Sequence, residues 1–289
     1  MPRLAYVNGR MLPASRAAIS IDDRAFLFSD GVYEVASIFG GHLFDWSLHL
    51  ERLSRSLGTL AIPAPMSDAA LTVSARRLIA ANRVSDGMLY LQVTRGAARR
   101  EHAFPVGAKA GLVMTVRPFD YRGRPVQQRS GVAAISAGDE RWARRDVKSV
   151  SLLPNVLAKQ AAKEAGAYEA ILIDRDGTVT EGASTTVWMV GADGAATTRP
   201  LSNAVLPGSK RRRLLELFGQ SGLPVREATF TLDDLRAAKE IFLTSTSSPV
   251  MPVVTLDGAP VGEARPGPVA LRACDLMWAE IERQTGWRA

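Results

Sequence analysis

The chain has 289 residues, 46% of them hydrophobic and 22% charged, with a formal net charge of +7. That balance suits a globular enzyme of one large domain or two ordinary ones and excludes a disordered chain. Cys274 is the only cysteine, so neither a disulfide framework nor a cysteine zinc site can form within one chain, and no metal is expected. The basic residues are scattered, which reads first as a solvated surface and second as help for anionic small molecules. Met1-Pro2-Arg3-Leu4 lacks the apolar core of a signal peptide and no apolar run is long enough to span a bilayer, so a reducing cytoplasm is the expected location.

Asn8-Gly9 supplies the two positive φ angles of a tight turn and predicts a hairpin over residues 5–12. Val32 to Phe39 reads as a strand, turned by Gly40-Gly41 into His42-Leu43-Phe44. Ser47 to about Leu60 reads as a helix, with Leu50, Leu53 and Leu57 on one face. Ser67 is an N-cap for a second helix carrying Leu71, Ala75, Leu78 and Ile79. Strands follow over Met88–Thr94 and Leu112–Val116. Arg117 to Pro125, with two prolines, a glycine and several charges, breaks both periods and marks the domain boundary.

Beyond it, Val132–Ala137 reads as a strand, Pro154–Ala165 as a helix ended by Gly166, and Glu169–Ile173 and Thr185–Val190 as strands. A helix starts near Gly208-Ser209, and Thr231 with Asp234 caps a short one. Ile241-Phe242-Leu243 is a strand running into Thr244-Ser245-Thr246, Asp257-Gly258 is a hairpin turn, and a last helix covers Pro268 to Arg283. Strands and helices mix without regular alternation, and no G-x-G-x-x-G opens a helix after a strand. The pattern predicts two α+β domains rather than a doubly wound sheet.

Two stretches carry candidate chemistry. Lys148 stands in Asp146-Val147-Lys148-Ser149, just before a helix, and Glu181 in Thr178-Val179-Thr180-Glu181-Gly182. A lysine amine can form a Schiff base with an aldehyde cofactor, and a carboxylate can keep a pyridine nitrogen protonated. Pyridoxal phosphate uses both. Lys159 and Lys163, four apart on a helix, read instead as surface lysines. The run Lys210-Arg211-Arg212-Arg213 reads as a solvated helix face rather than a nucleic-acid patch, since it is short and lacks interleaved aromatics. His42 and His49 are assigned no role.

These residues resemble the fold-type IV pyridoxal-phosphate aminotransferases, and among them the D-amino-acid aminotransferases. The likeness runs from Asp30-Gly31-Val32-Tyr33-Glu34-Val35 and His49-Leu50-Glu51-Arg52-Leu53 through Gln92-Val93-Thr94-Arg95-Gly96 and Arg100-Glu101-His102. It continues through the Lys148 and Glu181 stretches, Asn155-Val156-Leu157-Ala158-Lys159-Gln160 and Thr244-Ser245-Thr246. The resemblance implies a smaller N-terminal domain over 1–120, a larger, β-rich cofactor-binding domain over 121–289, the cofactor in the interdomain cleft, and a homodimer. It makes Lys148 the Schiff-base lysine and Glu181 the pyridine partner. Arg52, Ser209, Lys210 and Thr246 would serve the phosphate, and Leu206 would pack on the cofactor ring. Tyr33, Arg100 and His102 would trap the substrate carboxylate.

The family usually has threonine where this chain has Lys210, and asparagine where it has Thr186. The expected activity is transamination between a D-amino acid and 2-oxoglutarate or pyruvate. Alternatives within the fold are a branched-chain L-amino-acid aminotransferase, an R-selective amine transaminase and an aminodeoxychorismate lyase. From another class, a basic binding module without catalysis remains. Small amino and keto acids are the expected partners, with neither nucleic acid nor membrane.

Overall fold

The computed structural model describes residues 3–288, and the chain divides into two compact units. The first comprises Met1–Asp120, Val147–Ser151 and Gln284–Trp287; the second comprises Tyr121–Asp146, Leu152–Arg283 and Arg288–Ala289. Among the described residues, no helix is long and apolar enough to cross a membrane.

In the first unit the elements are β1 (Leu4–Val7), β2 (Arg10–Pro13), α1 (Arg24–Phe28), β3 (Gly31–Phe39), β4 (His42–Leu43), α2 (Trp46–Thr59), α3 (Asp68–Asn82), β5 (Gly87–Thr94) and β6 (Gly111–Pro118). Six strands form one sheet in the order β2-β1-β6-β5-β3-β4, and every neighbouring pair is antiparallel. Asn8 and Gly9 sit at φ 46° and 90°, as the hairpin turn requires. Along β3 the residues Val32, Glu34, Ala36 and Ile38 are all buried. Val32 and Ile38 share a core with Leu53 and Leu57 of α2 and Leu71, Ala75 and Leu78 of α3. Each large aliphatic buried there contributes about 1.5–3 kcal/mol. The period of two sends Tyr33 to the opposite face of the sheet.

The second unit holds α4 (Arg124–Ser130), β7 (Val132–Gly138), α5 (Leu153–Glu164), β8 (Glu169–Ile173), β9 (Val179–Gly182), β10 (Thr186–Val190), β11 (Ala196–Thr198), α6 (Ser209–Ser221), β12 (Val225–Glu227), α7 (Leu232–Arg236), β13 (Glu240–Thr244), β14 (Met251–Leu256), β15 (Ala259–Pro260) and α8 (Pro268–Thr285, whose last turn enters the first unit). Its sheet runs β12-β11-β10-β13-β14-β7-β8-β9, with β15 beside β14. Strand β7 is parallel to both β14 and β8, whereas β10 and β13 pair antiparallel. The sheet is mixed, in keeping with the α+β expectation.

The structure departs from the sequence reading in short elements. Arg117–Pro125 is not wholly irregular: β6 runs on through Pro118, and α4 begins at Arg124 with Pro125 in its first turn. Proline is at home there because the first helical N–H groups have no intrahelical partner. Helix α1 and strands β9, β11 and β12 are further additions, each too short to show a period in the sequence.

Candidate active site

The Lys148 segment is held on an edge of the first unit's sheet. Strand β4 pairs with β3 only at Ile38 and Phe39, so the other end of that β3 edge is bare. Residues 147–150 occupy it. The Tyr33 N–H donates to the Lys148 carbonyl at 3.0 Å, the Val150 N–H donates to the Gly31 carbonyl at 3.1 Å, and Val32 bridges Ser149. Val147 is buried in the same core as α2 and α3. Lys148 then presents its Nζ 4.2 Å from the centroid of the Tyr33 ring, so the structure brings these two sequence-predicted residues together. Lys159 is engaged otherwise, its amine donating to the Tyr168 carbonyl and to Glu169 at 3.1 Å. The Tyr33 ring stacks on Tyr90 at 5.7 Å, and the Tyr90 hydroxyl donates to Gln92 at 2.6 Å. Burial, aided by Tyr33, pushes the Tyr90 phenol up to about 12, so Tyr90 remains a neutral donor.

Behind β3 lies an ion cluster that sequence reasoning missed. Arg52 is buried on α2. Its Nε and Nη2 donate to the two Glu34 oxygens at 2.8 and 2.7 Å, and Glu34 is only 1% exposed. His49, to which the sequence assigns no role, is fully buried and its Nδ1 lies 2.7 Å from Glu34 Oε2. An ionised carboxylate only accepts, so Nδ1 carries the proton. Burial alone would raise the Glu34 carboxyl, but Arg52 and His49 overcome it and hold it at about 2. A signal is present in the sequence: Glu34 keeps phase with Val32, Ala36 and Ile38, and His49, Arg52 and Ser56 flank the apolar stripe of Leu53 and Leu57.

Arg100 and His102 stand on the exposed loop between β5 and β6. Both approach Phe28, with the His102 ring 5.2 Å and the Arg100 guanidinium 5.3 Å from its centroid.

In the second unit Glu181 lies on β9, buried rather than solvated. Its Oε2 accepts the Leu206 N–H at 3.2 Å and its Oε1 pairs with Arg141. Arg141 is itself gripped by Asp139 at 2.9 and 2.7 Å, and the Thr180 hydroxyl donates to Asp139 at 2.7 Å. Burial raises the Glu181 carboxyl above the ordinary glutamate range, with Arg141 opposing. Asp139 is likewise pushed up by burial, but Arg141 outweighs that and holds it low. Nothing in the sequence singles out Arg141, which is one arginine among many.

Leu206-Pro207-Gly208 leads from Glu181 into α6. Gly208 caps that helix without a side chain, and a helix start directs its first backbone N–H groups outward along the axis. A Cβ on Gly208 would lie 2.7 Å from the Thr186 hydroxyl, and Thr186 pairs in register with Thr244, which enters the turn holding Thr246. Ser209 and Lys210 open α6 and are buried, as is Arg211, which donates to the Arg199 carbonyl at 2.9 Å and pairs with Glu227. The expected solvated face is therefore corrected for Lys210 and Arg211. Carbonyl and carboxylate partners compensate the charge of Arg211, which a sequence run cannot show.

Residues 31–256 match the family model described as "Amino-transferase class IV". The chain is 43% identical over 278 residues to a D-alanine aminotransferase of Bacillus licheniformis, covering 96% of this chain and 97% of that protein. It is 37% identical to a D-alanine aminotransferase of Staphylococcus aureus (strain MSSA476), covering 91% and 93%. In structure it is similar to the Escherichia coli branched-chain amino acid aminotransferase, with a TM-score of 0.89 at 24% identity over 99% of this chain and 96% of that one. It is also similar to a hypothetical aminotransferase from Mycobacterium tuberculosis in its PLP-bound form, with a TM-score of 0.82 at 24% identity over 96% and 98%. Both are likenesses of fold. The chain belongs to the class IV aminotransferases.

Proposed function

We propose that this protein transfers an amino group between a D-amino acid and an α-keto acid, with pyridoxal 5'-phosphate as cofactor. The observation that carries the reading is the placing of Lys148, stitched to the β3 edge with its amine over Tyr33. The similarity to D-alanine aminotransferases supports the choice of D-substrates.

The residues present fit the cofactor. Glu181 is a buried carboxylate held by a backbone N–H and a guanidinium, and a short stretch of chain joins it to the uncapped start of α6. A helix N-terminus suits a phosphate, and no side chain could replace the Gly208 hydrogen beside Thr186 without crowding. Ser209, Lys210 and Thr246 would serve the phosphate, as would Arg52, which Glu34 fixes by a buried ion pair. Leu206 would pack on the ring. When bound, pyridoxal phosphate supplies an aldehyde that takes up the amino group and a ring that draws electrons from the substrate Cα.

Glu181 holds a proton at the pyridine nitrogen, where its raised basicity strengthens the pairing. The Lys148 amine would take the proton from the substrate Cα and deliver it to the cofactor's C4′ carbon, as base and then acid. Tyr33, Arg100 and His102 fix the substrate carboxylate and so decide which face of Cα meets Lys148. The experiment is the initial rate with D- and L-alanine and D- and L-leucine, in the wild type and in Arg100→Ala. D-substrates should be preferred, and loss of a charge-assisted pair worth about 1.5–3 kcal/mol should raise their KM in the variant. A preference for L-leucine would instead mark a branched-chain enzyme.

We further propose a homodimer as the working unit. Leu153, Val156 and Leu157 leave one face of α5 apolar and more than half exposed, and Ile21 just before α1 and Phe26 within it are exposed as well; such patches suit a protein partner. Light scattering on the purified protein at low concentration tests this, a monomeric mass being the contrary result.

A further inference from the structure

We infer that Arg24 is a positioning residue for substrate binding: its buried guanidinium fixes the backbone of the loop that presents Arg100 and His102. The inference rests on the carboxylate-trap reading of those two residues and concerns what holds them.

Arg24 is 3% exposed, while residues 99–104 above it are all exposed. Three consecutive loop carbonyls converge on it. Nη1 donates to the carbonyls of Glu101 and, at 3.4 Å, Ala103, and Nη2 donates to that of His102 at 3.2 Å. The third nitrogen, Nε, donates to Asp30 Oδ2 at 2.7 Å. A planar fork with a fixed set of N–H directions can meet carbonyls of successive residues and a carboxylate at once, and a lysine ammonium cannot. The anchor is itself tied down. Asp23 caps α1 by accepting the Ala25 N–H at 2.9 Å and accepts the Thr94 hydroxyl at 2.8 Å. The Arg24 N–H donates to the Gly96 carbonyl at 3.0 Å, and the Ala98 N–H to the Asp22 carbonyl at 3.2 Å, so the root of the loop runs alongside residues 22–24.

Asp30 also accepts Arg95 at 2.7 and 3.0 Å, and the Arg95 guanidinium lies 3.6 Å from the Phe104 centroid, closing the far side of the loop. Phe28 lies under both Arg24 and Arg100, at 4.8 and 5.3 Å. Since Asp30 leads directly into β3, the loop is referenced to the strand that bears Tyr33. An exposed loop held only by its own backbone would sample many positions for Arg100. With three carbonyls on one buried group it samples few, and the ordering cost falls before substrate arrives.

The test uses the full-length holoenzyme as wild type, Arg24→Lys, Arg100→Ala and the double variant, with Arg24→Gln in place of the lysine variant if that one does not accumulate. Amide hydrogen exchange over residues 97–104 and the kinetics with D-alanine are read together. In Arg24→Lys, exchange should speed up over 97–104 and not in β5, and KM should rise roughly tenfold to a hundredfold with a much smaller change in kcat. The double variant should cost little beyond Arg100→Ala, because both substitutions remove the same contact. A purely structural arginine would lower the yield of active enzyme without this split. If Arg100→Ala raises KM and Arg24→Lys leaves it unchanged, or if their effects multiply, the positioning role is overturned. If Arg100→Ala itself leaves KM unchanged, the trap reading fails and this inference falls with it.

Discussion

Glu34→Gln tests the ion cluster behind β3. The carboxylate is 1% exposed and takes two hydrogen bonds from Arg52 and one from His49. The amide that replaces it cannot neutralise Arg52 and offers one acceptor oxygen where there were two. Moving a carboxyl from the ordinary glutamate value of 4.5 to about 2 corresponds to about 3 kcal/mol at neutral pH. That agrees with the roughly 3–5 kcal/mol expected when one partner of a buried pair is removed. In a unit of this size, about 3 kcal/mol lowers the melting temperature by roughly 6–12 °C. The pH dependence follows from the sign. Because the folded carboxyl lies below its ordinary value, the stabilisation is complete above 4.5 and is lost as the pH falls toward about 2. The assay is urea unfolding of wild type and variant from neutral pH to acid. Their difference should be largest near pH 7 and shrink through that window. A difference below about 1 kcal/mol at pH 7, or one that does not shrink in acid, would refute the reasoning.

Lys148→Ala should abolish nearly all turnover, and borohydride reduction of the wild-type holoenzyme followed by peptide mapping should label Lys148; a label on Lys159 or Lys210 would contradict this. Glu181→Gln should keep the cofactor but slow both half-reactions, measured by stopped-flow absorbance, because a neutral amide supports a protonated pyridine poorly. Gly208→Ala should weaken cofactor binding by crowding the Thr186 hydroxyl at 2.7 Å, and Thr186→Ala in the same chain should restore it; equal dissociation constants for wild type and Gly208→Ala would remove the steric argument.

Much of the fold was legible because its signals are local. The alternation of Val32, Ala36 and Ile38 gives β3 its inward face, and Asn8-Gly9 and Asp257-Gly258 sit at the positive φ angles that hairpin turns need. Short elements such as α1 and β11 contain too few residues to display a period. Lys148 was legible as chemistry, yet not its seat: Val147–Ser151 belongs to the first unit although its chain neighbours on both sides belong to the second. Nothing local encodes a return to β3. Buried charge was the least legible. Arg52 and Arg211 pair with carboxylates on other elements, Glu34 and Glu227, and Lys210 is buried beside Arg211, none of which a run of sequence shows.

Around Glu181, three carboxylates, Asp139, Asp174 and Glu181, pair with two guanidiniums, Arg141 and Arg145, leaving one negative charge in excess among the paired groups. Uncompensated charge in a poorly solvated place is costly unless something arrives to cancel it. A protonated pyridine nitrogen at Glu181 would cancel it, so this cluster has the sign that the proposed ligand group requires.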